Sequence, residues 1–79
     1  MIAAQFETSA YSFLAFGDNE AEALHALRRA WEKHCQETDA DPHFLMRNEY
    51  DVSYFPVMSG AVYRDGYELM QGGENGEQV

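Results

Sequence analysis

The chain has 79 residues, is 46% hydrophobic and carries a formal net charge of −9, from 14 acidic and 5 basic residues. A chain this short forms one domain at most, and its apolar content argues against a disordered chain. The acidity argues against direct binding to nucleic acid or anionic membranes, so any charged partner should be basic.

The single cysteine, Cys35, rules out a disulfide framework and favours a reducing compartment. The N-terminal stretch MIAAQFETSAYS lacks the basic region and the long apolar core of a secretory signal. No segment is apolar for long enough to span a membrane, and no lipidation motif is present. We therefore expect a cytoplasmic protein without a membrane partner.

The first predicted element is a strand over residues 6–16, with the sequence FETSAYSFLAF. Apolar and aromatic side chains fall on both of its faces, which is typical of a central strand. The segment contains neither glycine nor proline, so it is predicted to be one uninterrupted strand. Gly17 directly follows it and marks the predicted end of the strand.

A long amphipathic helix is predicted over residues 20–37. Asn19 suits the N-cap, and Glu22 stands at the third helical position, as in a capping box. Apolar residues of this segment recur at steps of three and four and form one stripe. The members of that stripe expected to face the sheet are Leu24, Leu27 and Trp31.

A short helical turn is predicted over residues 42–48, because Asp41 followed by Pro42 is typical of a helix start. The three apolar residues at positions 44–46 should pin this turn to the core.

The stretch RNEYDVSYF predicts a second strand over residues 49–55, closed by Pro56. Its two tyrosines and Val52 alternate with Glu49, Asp51 and a serine. We expect Val52 and the tyrosines to pack against the helix, which leaves the acidic row facing solvent.

A β-hairpin is predicted after the second strand, with strands over residues 61–64 and 67–70. Asp65 followed by Gly66 lies between these short apolar runs, and a type I′ turn needs φ above zero at both central residues. The tail over residues 72–79 is rich in glycine and polar residues and is expected to be frayed.

These elements predict one α+β domain over residues 1–71 in the order β-α-β-β-β. The sheet should have three to four mostly antiparallel strands, with the helix packed on one face.

No arrangement of residues predicts catalysis, a cofactor or a metal. His25, His34 and His43 share no metal-binding spacing with one another or with Cys35, and a structural zinc site needs four convergent ligands. A thiol in mid-helix on an apolar stripe is expected to have a raised pKa and to be inert. The paired carboxylates are expected to be solvated surface, because so small a chain offers no cleft for a substrate. We expect a protein that is not an enzyme.

One basic cluster stands out, formed by Arg28, Arg29 and Lys33. Glu32 interrupts it, and Arg28 is expected to pair with Glu32 one helical turn away. This cluster is too small to predict direct binding to nucleic acid.

The acids outside the helix predict a binding surface. Carboxylates on a small rigid body present negative charge much as DNA phosphates do, and they complement a Lys/Arg groove. Phe55 either anchors a partner beside the acidic row or packs under the loop at Pro56. The residues predicted to bind a partner are Asp39, Asp41, Glu49, Asp51, Phe55, Asp65 and Glu68.

In size, acidity and strand–helix–strand–hairpin plan, residues 6–70 resemble the small phage-encoded anti-CRISPR proteins. The resemblance is one of class and transfers no individual residue. Several of those proteins inhibit type I surveillance complexes by occupying the basic DNA-binding surface. The resemblance implies an inhibitor in the bacterial host cytoplasm, acting as a monomer on a basic CRISPR–Cas effector subunit. The narrower expectation is the large, PAM-reading subunit of a type I-C complex.

An alternative is a small regulatory or antitoxin-like protein that dimerises through a sheet edge near residues 57–62. A stable dimer whose mass is unchanged at high salt would favour this alternative, whereas salt-sensitive binding to a basic protein would favour the inhibitor.

Overall fold

The computed structural model describes residues 1–64 and 67–70. It shows a small α+β protein, as the sequence predicts, with one long helix and two antiparallel sheets. The elements in chain order are β1 (Ile2–Glu7), β2 (Ser12–Gly17), α1 (Glu20–Thr38), α2 (Phe44–Arg47), a 3-10 turn (Glu49–Asp51), β3 (Ser53–Pro56), β4 (Val62–Arg64) and β5 (Tyr67–Met70).

The N-terminal region is a hairpin of β1 and β2, so the prediction of one strand over residues 6–16 is wrong. The chain reverses between Thr8 and Tyr11, where the Thr8 N–H donates to the Tyr11 carbonyl at 2.8 Å. The Tyr11 N–H in turn donates to the Thr8 hydroxyl at 2.9 Å. A threonine hydroxyl therefore closes this turn, which needs neither the glycine nor the proline that usually marks a reversal.

The main sheet has the order β2-β1-β3, so the N-terminal strand is the central one. Both neighbours pair antiparallel with it, and Ala4 lies between Ala15 of β2 and Tyr54 of β3. Ala4 and Ala15 are buried against the helix side of the sheet. Because side chains alternate along a strand, Ala3 and its partners Phe16 and Phe55 lie on the opposite face.

Helix α1 confirms the predicted helix within one residue at its C-terminal end. Asn19 has an extended backbone, and its side chain accepts a hydrogen bond from the Glu22 N–H at 2.9 Å. The Glu22 carboxylate accepts one from the Asp18 N–H at 3.2 Å, so the bond that a capping box makes to the N-cap N–H is made here one residue earlier. Asp39 ends the helix in the left-handed region, with φ 60°.

The core lies between α1 and the main sheet. Leu27 and Trp31 are buried, and Leu24 is partly buried against them, which confirms the prediction that these three residues face the sheet. Trp31 meets Phe6 edge to face, with ring centroids 5.9 Å apart, and stacks on Phe44 at 5.7 Å. Aromatic rings therefore join helix, sheet and the following turn into one packed unit.

Helix α2 confirms the predicted helical turn, whereas the segment between α2 and β3 differs from the prediction. Leu45 is buried as expected, whereas Met46 is exposed. The predicted strand over residues 49–55 begins only at Ser53, because residues 49–51 form a 3-10 turn. Tyr50 is 81% exposed and does not pack against the helix, while Val52 is buried. The Asp51 N–H donates to the Asn48 carbonyl at 2.9 Å and the Val52 N–H donates to the Glu49 carbonyl at 3.0 Å, and these bonds form a 3-10 turn in place of an extended strand.

Strands β4 and β5 form the predicted hairpin, but as a separate two-stranded sheet. The link from β3 to β4 is irregular rather than an open strand edge. In it the Val57 N–H donates to the Met1 carbonyl at 2.9 Å, and the Ala61 N–H donates to the Met58 carbonyl at 3.0 Å. Residues 57–61 of the edge predicted for dimerisation are therefore not a strand, and Val62 is the first residue of β4. The predicted turn at Asp65 and the tail lie outside the described residues.

Candidate functional site

The described acids among the predicted partner-binding residues fall into two groups. Two of them, Asp41 and Glu49, are held in ion pairs, and the other three, Asp39, Asp51 and Glu68, lie outside those pairs. Arg28 of α1 donates two hydrogen bonds to the Glu49 carboxylate, at 2.8 and 2.9 Å. These bonds lower the pKa of Glu49 below its usual range and raise the pKa of Arg28. Arg28 therefore pairs with Glu49 across the fold and not with Glu32, the partner predicted from helical spacing.

Asp41 is held in the loop after α1. Its carboxylate accepts a hydrogen bond from the Arg47 guanidinium at 2.5 Å and another from the His43 N–H at 2.9 Å. The hydrogen bond from Arg47, followed by that from the His43 backbone, lowers the pKa of Asp41. Both partners of this pair are about half exposed, so the charge of Asp41 is offset at the surface without being buried.

Asp39 and Asp51 are exposed and lie outside both ion pairs. Asp51 belongs to the same 3-10 turn as Glu49, and this helix type completes a turn in three residues. Side chains two positions apart therefore do not share one side. Glu49 and Asp51 do not form the continuous acidic row expected from a strand.

Phe55 lies on the face of the main sheet opposite α1, where it packs on the second hairpin. Its ring centroid is 4.4 Å from that of Tyr63, whose hydroxyl donates to the Pro56 carbonyl. This arrangement supports the alternative in which Phe55 packs near Pro56. Partial burial, followed by the negative charge of Glu68, raises the pKa of Tyr63, which places Glu68 beside this contact. Asp65 lies outside the described residues.

Glu20 belongs to the acidic surface but was not among the predicted partner-binding residues. Burial raises the pKa of Tyr54, and the charges of Glu20 and Glu49 raise it further. Glu20 therefore lies near Tyr54 together with Glu49. No sequence pattern identifies Glu20 as part of this group, because Tyr54 and Glu49 come near it only in the folded chain.

The groups considered for chemistry show no assembled site. Cys35 is half-buried, and burial, followed by the charge of Asp41, raises the pKa of its thiol. Over residues 1–64 and 67–70, no three His, Cys, Asp or Glu side chains gather in a way that could hold a metal ion. In the same residues, no helix combines the length and apolar character needed to cross a bilayer.

The described surface has a large excess of exposed acids. Those outside the two ion pairs are Glu7, Asp18, Glu20, Glu22, Glu32, Glu37, Asp39, Asp51 and Glu68. The described basic residues outside the ion pairs are Arg29, Lys33 and Arg64. The site is thus an acidic protein surface on a small α+β fold.

Comparison of the chain with protein-family models, with curated proteins and with solved structures gave no significant match.

Proposed function

We propose that the protein is a non-enzymatic inhibitory binding protein that uses its acidic surface to occupy the DNA-binding surface of a basic partner. The observation that carries the proposal is the set of exposed carboxylates outside ion pairs. Outside those ion pairs, the described residues include only three basic side chains, those of Arg29, Lys33 and Arg64, to offset the negative charge. Such a surface attracts a Lys/Arg groove and repels DNA itself.

Two features of the fold support this use of the charge. A helix of 19 residues spans about 28 Å, and acidic residues lie near both of its ends. The core is held by packed aromatic rings, so the backbone positions that carry the described carboxylates belong to a folded domain and not to a flexible segment. A fixed array of negative charge binds with less loss of conformational freedom than a flexible acidic segment.

The narrower form of the proposal is an anti-CRISPR protein that blocks DNA binding by a type I surveillance complex in the bacterial cytoplasm. The intended contact is the large, PAM-reading subunit of a type I-C complex, because such a subunit must present basic side chains to DNA. Size, acidity and the α+β plan support this form, as in the resemblance described above.

The test is a competition assay with a purified type I-C surveillance complex and labelled target DNA. The protein should reduce DNA binding when it is added first, and the effect should weaken as salt is raised. Unchanged DNA binding at saturating protein and low salt would overturn the type I-C form of the proposal.

Charge reversal then locates the surface. The double variant Asp51→Lys and Glu68→Lys changes two exposed predicted residues that lie outside the ion pairs. The control is Glu7→Lys with Glu32→Lys, which makes the same change in net charge at exposed acids that were not predicted. Loss of competition only in the first variant supports the predicted residues, whereas equal loss in both indicates dependence on total charge.

A further inference from the structure

Strand β2 is an open edge of the main sheet with an unusual composition. Its sequence, SFLAFG, contains no charged residue and no proline, although the chain as a whole has a net charge of −9. Sheet edges are normally protected by charges, prolines, bulges or a covering segment. In the part of the chain that the structure describes, no strand pairs with the outer side of β2.

The backbone groups on that open side can be assigned from the hairpin turn. The Thr8 N–H donates to the Tyr11 carbonyl, so these residues form a hydrogen-bonded pair of the ladder. Such pairs alternate with non-bonded ones along an antiparallel ladder. The N–H and C=O groups of Ser12, Leu14 and Phe16 therefore point away from β1, toward any incoming strand.

The side chains at this edge are apolar as well. Ala15 is buried on the helix side, so Leu14 and Phe16 lie on the opposite face. Leu14 is 53% exposed and Phe16 is 46% exposed. A strand added to β2 would cover both residues and would also satisfy the open backbone groups.

The flank of α1 above this edge carries the two basic side chains of the helix that lie outside its ion pair with Glu49. Arg28 points toward the 3-10 turn beside β3, so the opposite flank, with Ala30 and Lys33, overhangs β2. Lys33 and the nearby Arg29 lie outside the two ion pairs. Glu22 and Glu37 are acids on the same flank, near its two ends, and Ala30 is small enough to let another helix approach.

We propose that a second copy of this chain pairs with β2, antiparallel about Ala15, to form one continuous sheet of six strands. In this register Leu14 lies opposite the second copy's Phe16, and its symmetry mate repeats the contact. About four new backbone hydrogen bonds form between the two strands. The same two-fold axis places the α1 helices of the two copies antiparallel to each other, so Glu22 faces the second copy's Lys33.

A second identical copy is favoured over another strand donor for two reasons. The apolar pair is complementary to itself under two-fold symmetry, which is the usual symmetry of homodimers. The acid and base on the overhanging flank are also complementary to themselves, whereas most of the described surface would repel another copy. The sequence predicted a monomer from the overall resemblance, and the local composition of this edge argues for the dimer.

The test is the molar mass in solution, measured by light scattering after size exclusion over a wide range of concentration. Wild type should reach about twice the chain mass of 9.0 kDa, also at high salt. Leu14→Lys should give the mass of one chain, because it places a charge beside the paired edge. Leu69→Lys is the matched control, since Leu69 is also 53% exposed but lies on β5, and it should remain dimeric.

Amide hydrogen exchange on the wild type gives a second readout that needs no variant. The amides of Leu14 and Phe16 should become protected as protein concentration rises, whereas those of the exposed turn at Tyr50 should not change. A wild-type mass of one chain at every concentration overturns the proposal. A dimer that survives Leu14→Lys, or in which these two amides exchange freely, overturns it as well. Because this dimer forms through β2 and not through the edge near residues 57–62, a salt-resistant dimer at β2 does not by itself favour the regulatory alternative over the inhibitor. The DNA competition assay tests inhibition separately.

Discussion

Arg28 and Glu49, 21 positions apart, form a two-bonded ion pair that ties the middle of α1 to the 3-10 turn ahead of β3. Glu49→Gln should lower the free energy of unfolding by about 0.5–1 kcal/mol, a modest value because the Arg28 side chain is 54% exposed. Urea denaturation measures the change. Glu32→Gln is the control, and it should leave stability unchanged; an effect as large as that of Glu49→Gln would contradict the pairing.

The two lowered carboxylate pKa values predict loss of stability in acid. Glu49 and Asp41 both have pKa values below their usual range in the folded protein. Their contribution is therefore fully present above the ordinary carboxylate pKa of about 4, and it is lost as pH falls through the lower folded value. The urea midpoint should fall on acidification, and it should fall less for Glu49→Gln than for wild type. Equal falls would show that Glu49 does not contribute.

The N-cap of α1 should contribute about 1 kcal/mol to stability. Asn19→Ala removes the side-chain acceptor for the Glu22 N–H and leaves that donor without its partner. Asn19→Asp keeps an acceptor oxygen and adds a charge favoured by the helix dipole, so it should be at least as stable as wild type. Thermal unfolding followed by circular dichroism separates the two variants.

Gly17 is required by a close approach between the end of β2 and the start of α1. A Cβ atom at this position would lie 2.4 Å from the Ala23 nitrogen and 2.6 Å from the Glu22 Cβ. The obstruction includes backbone, so Gly17→Ala should cost about 2 kcal/mol or more through displacement of the helix start. A melting temperature equal to that of wild type would show that the helix can move away freely.

Val52 and Tyr50 offer a direct comparison within one segment. Val52→Ala removes buried volume next to the core and should cost about 1–2 kcal/mol. Tyr50→Ala removes a larger side chain that is 81% exposed and should change stability by less than about 0.5 kcal/mol. Urea denaturation of both variants decides between the 3-10 turn and the extended strand predicted from alternation, which would reverse the order.

Local signals in the sequence predicted the elements that depend on neighbouring residues. Helix α1 was predicted with its cap, because the N-cap residue, the acidic first turn and the apolar stripe all lie within one segment. The hairpin of β4 and β5 was predicted for the same reason. For both the helix and the hairpin, the local sequence pattern is compatible with only one type of secondary structure.

The two errors in strand assignment come from patterns that two structures satisfy equally well. No glycine or proline interrupts residues 6–16, so one long strand and a hairpin closed by a threonine hydroxyl both fit this composition. Alternation runs through Tyr50, although local hydrogen bonds make a 3-10 turn there. The ion pair of Arg28 with Glu49 lay beyond prediction, because only the folded chain brings its members together.

The central place of β1 in the main sheet has a consequence for synthesis on the ribosome. Ile2 pairs with Gly17 and with Pro56, so its second partner emerges 54 positions later. The hairpin of β1 and β2 closes a short loop and can form early, whereas pairing with β3 must wait for most of the chain. Until β3 has been synthesised, one edge of β1 is free to pair with a strand of another molecule. Ribosomes that translate the same mRNA hold identical nascent chains close together at that stage, which favours such pairing.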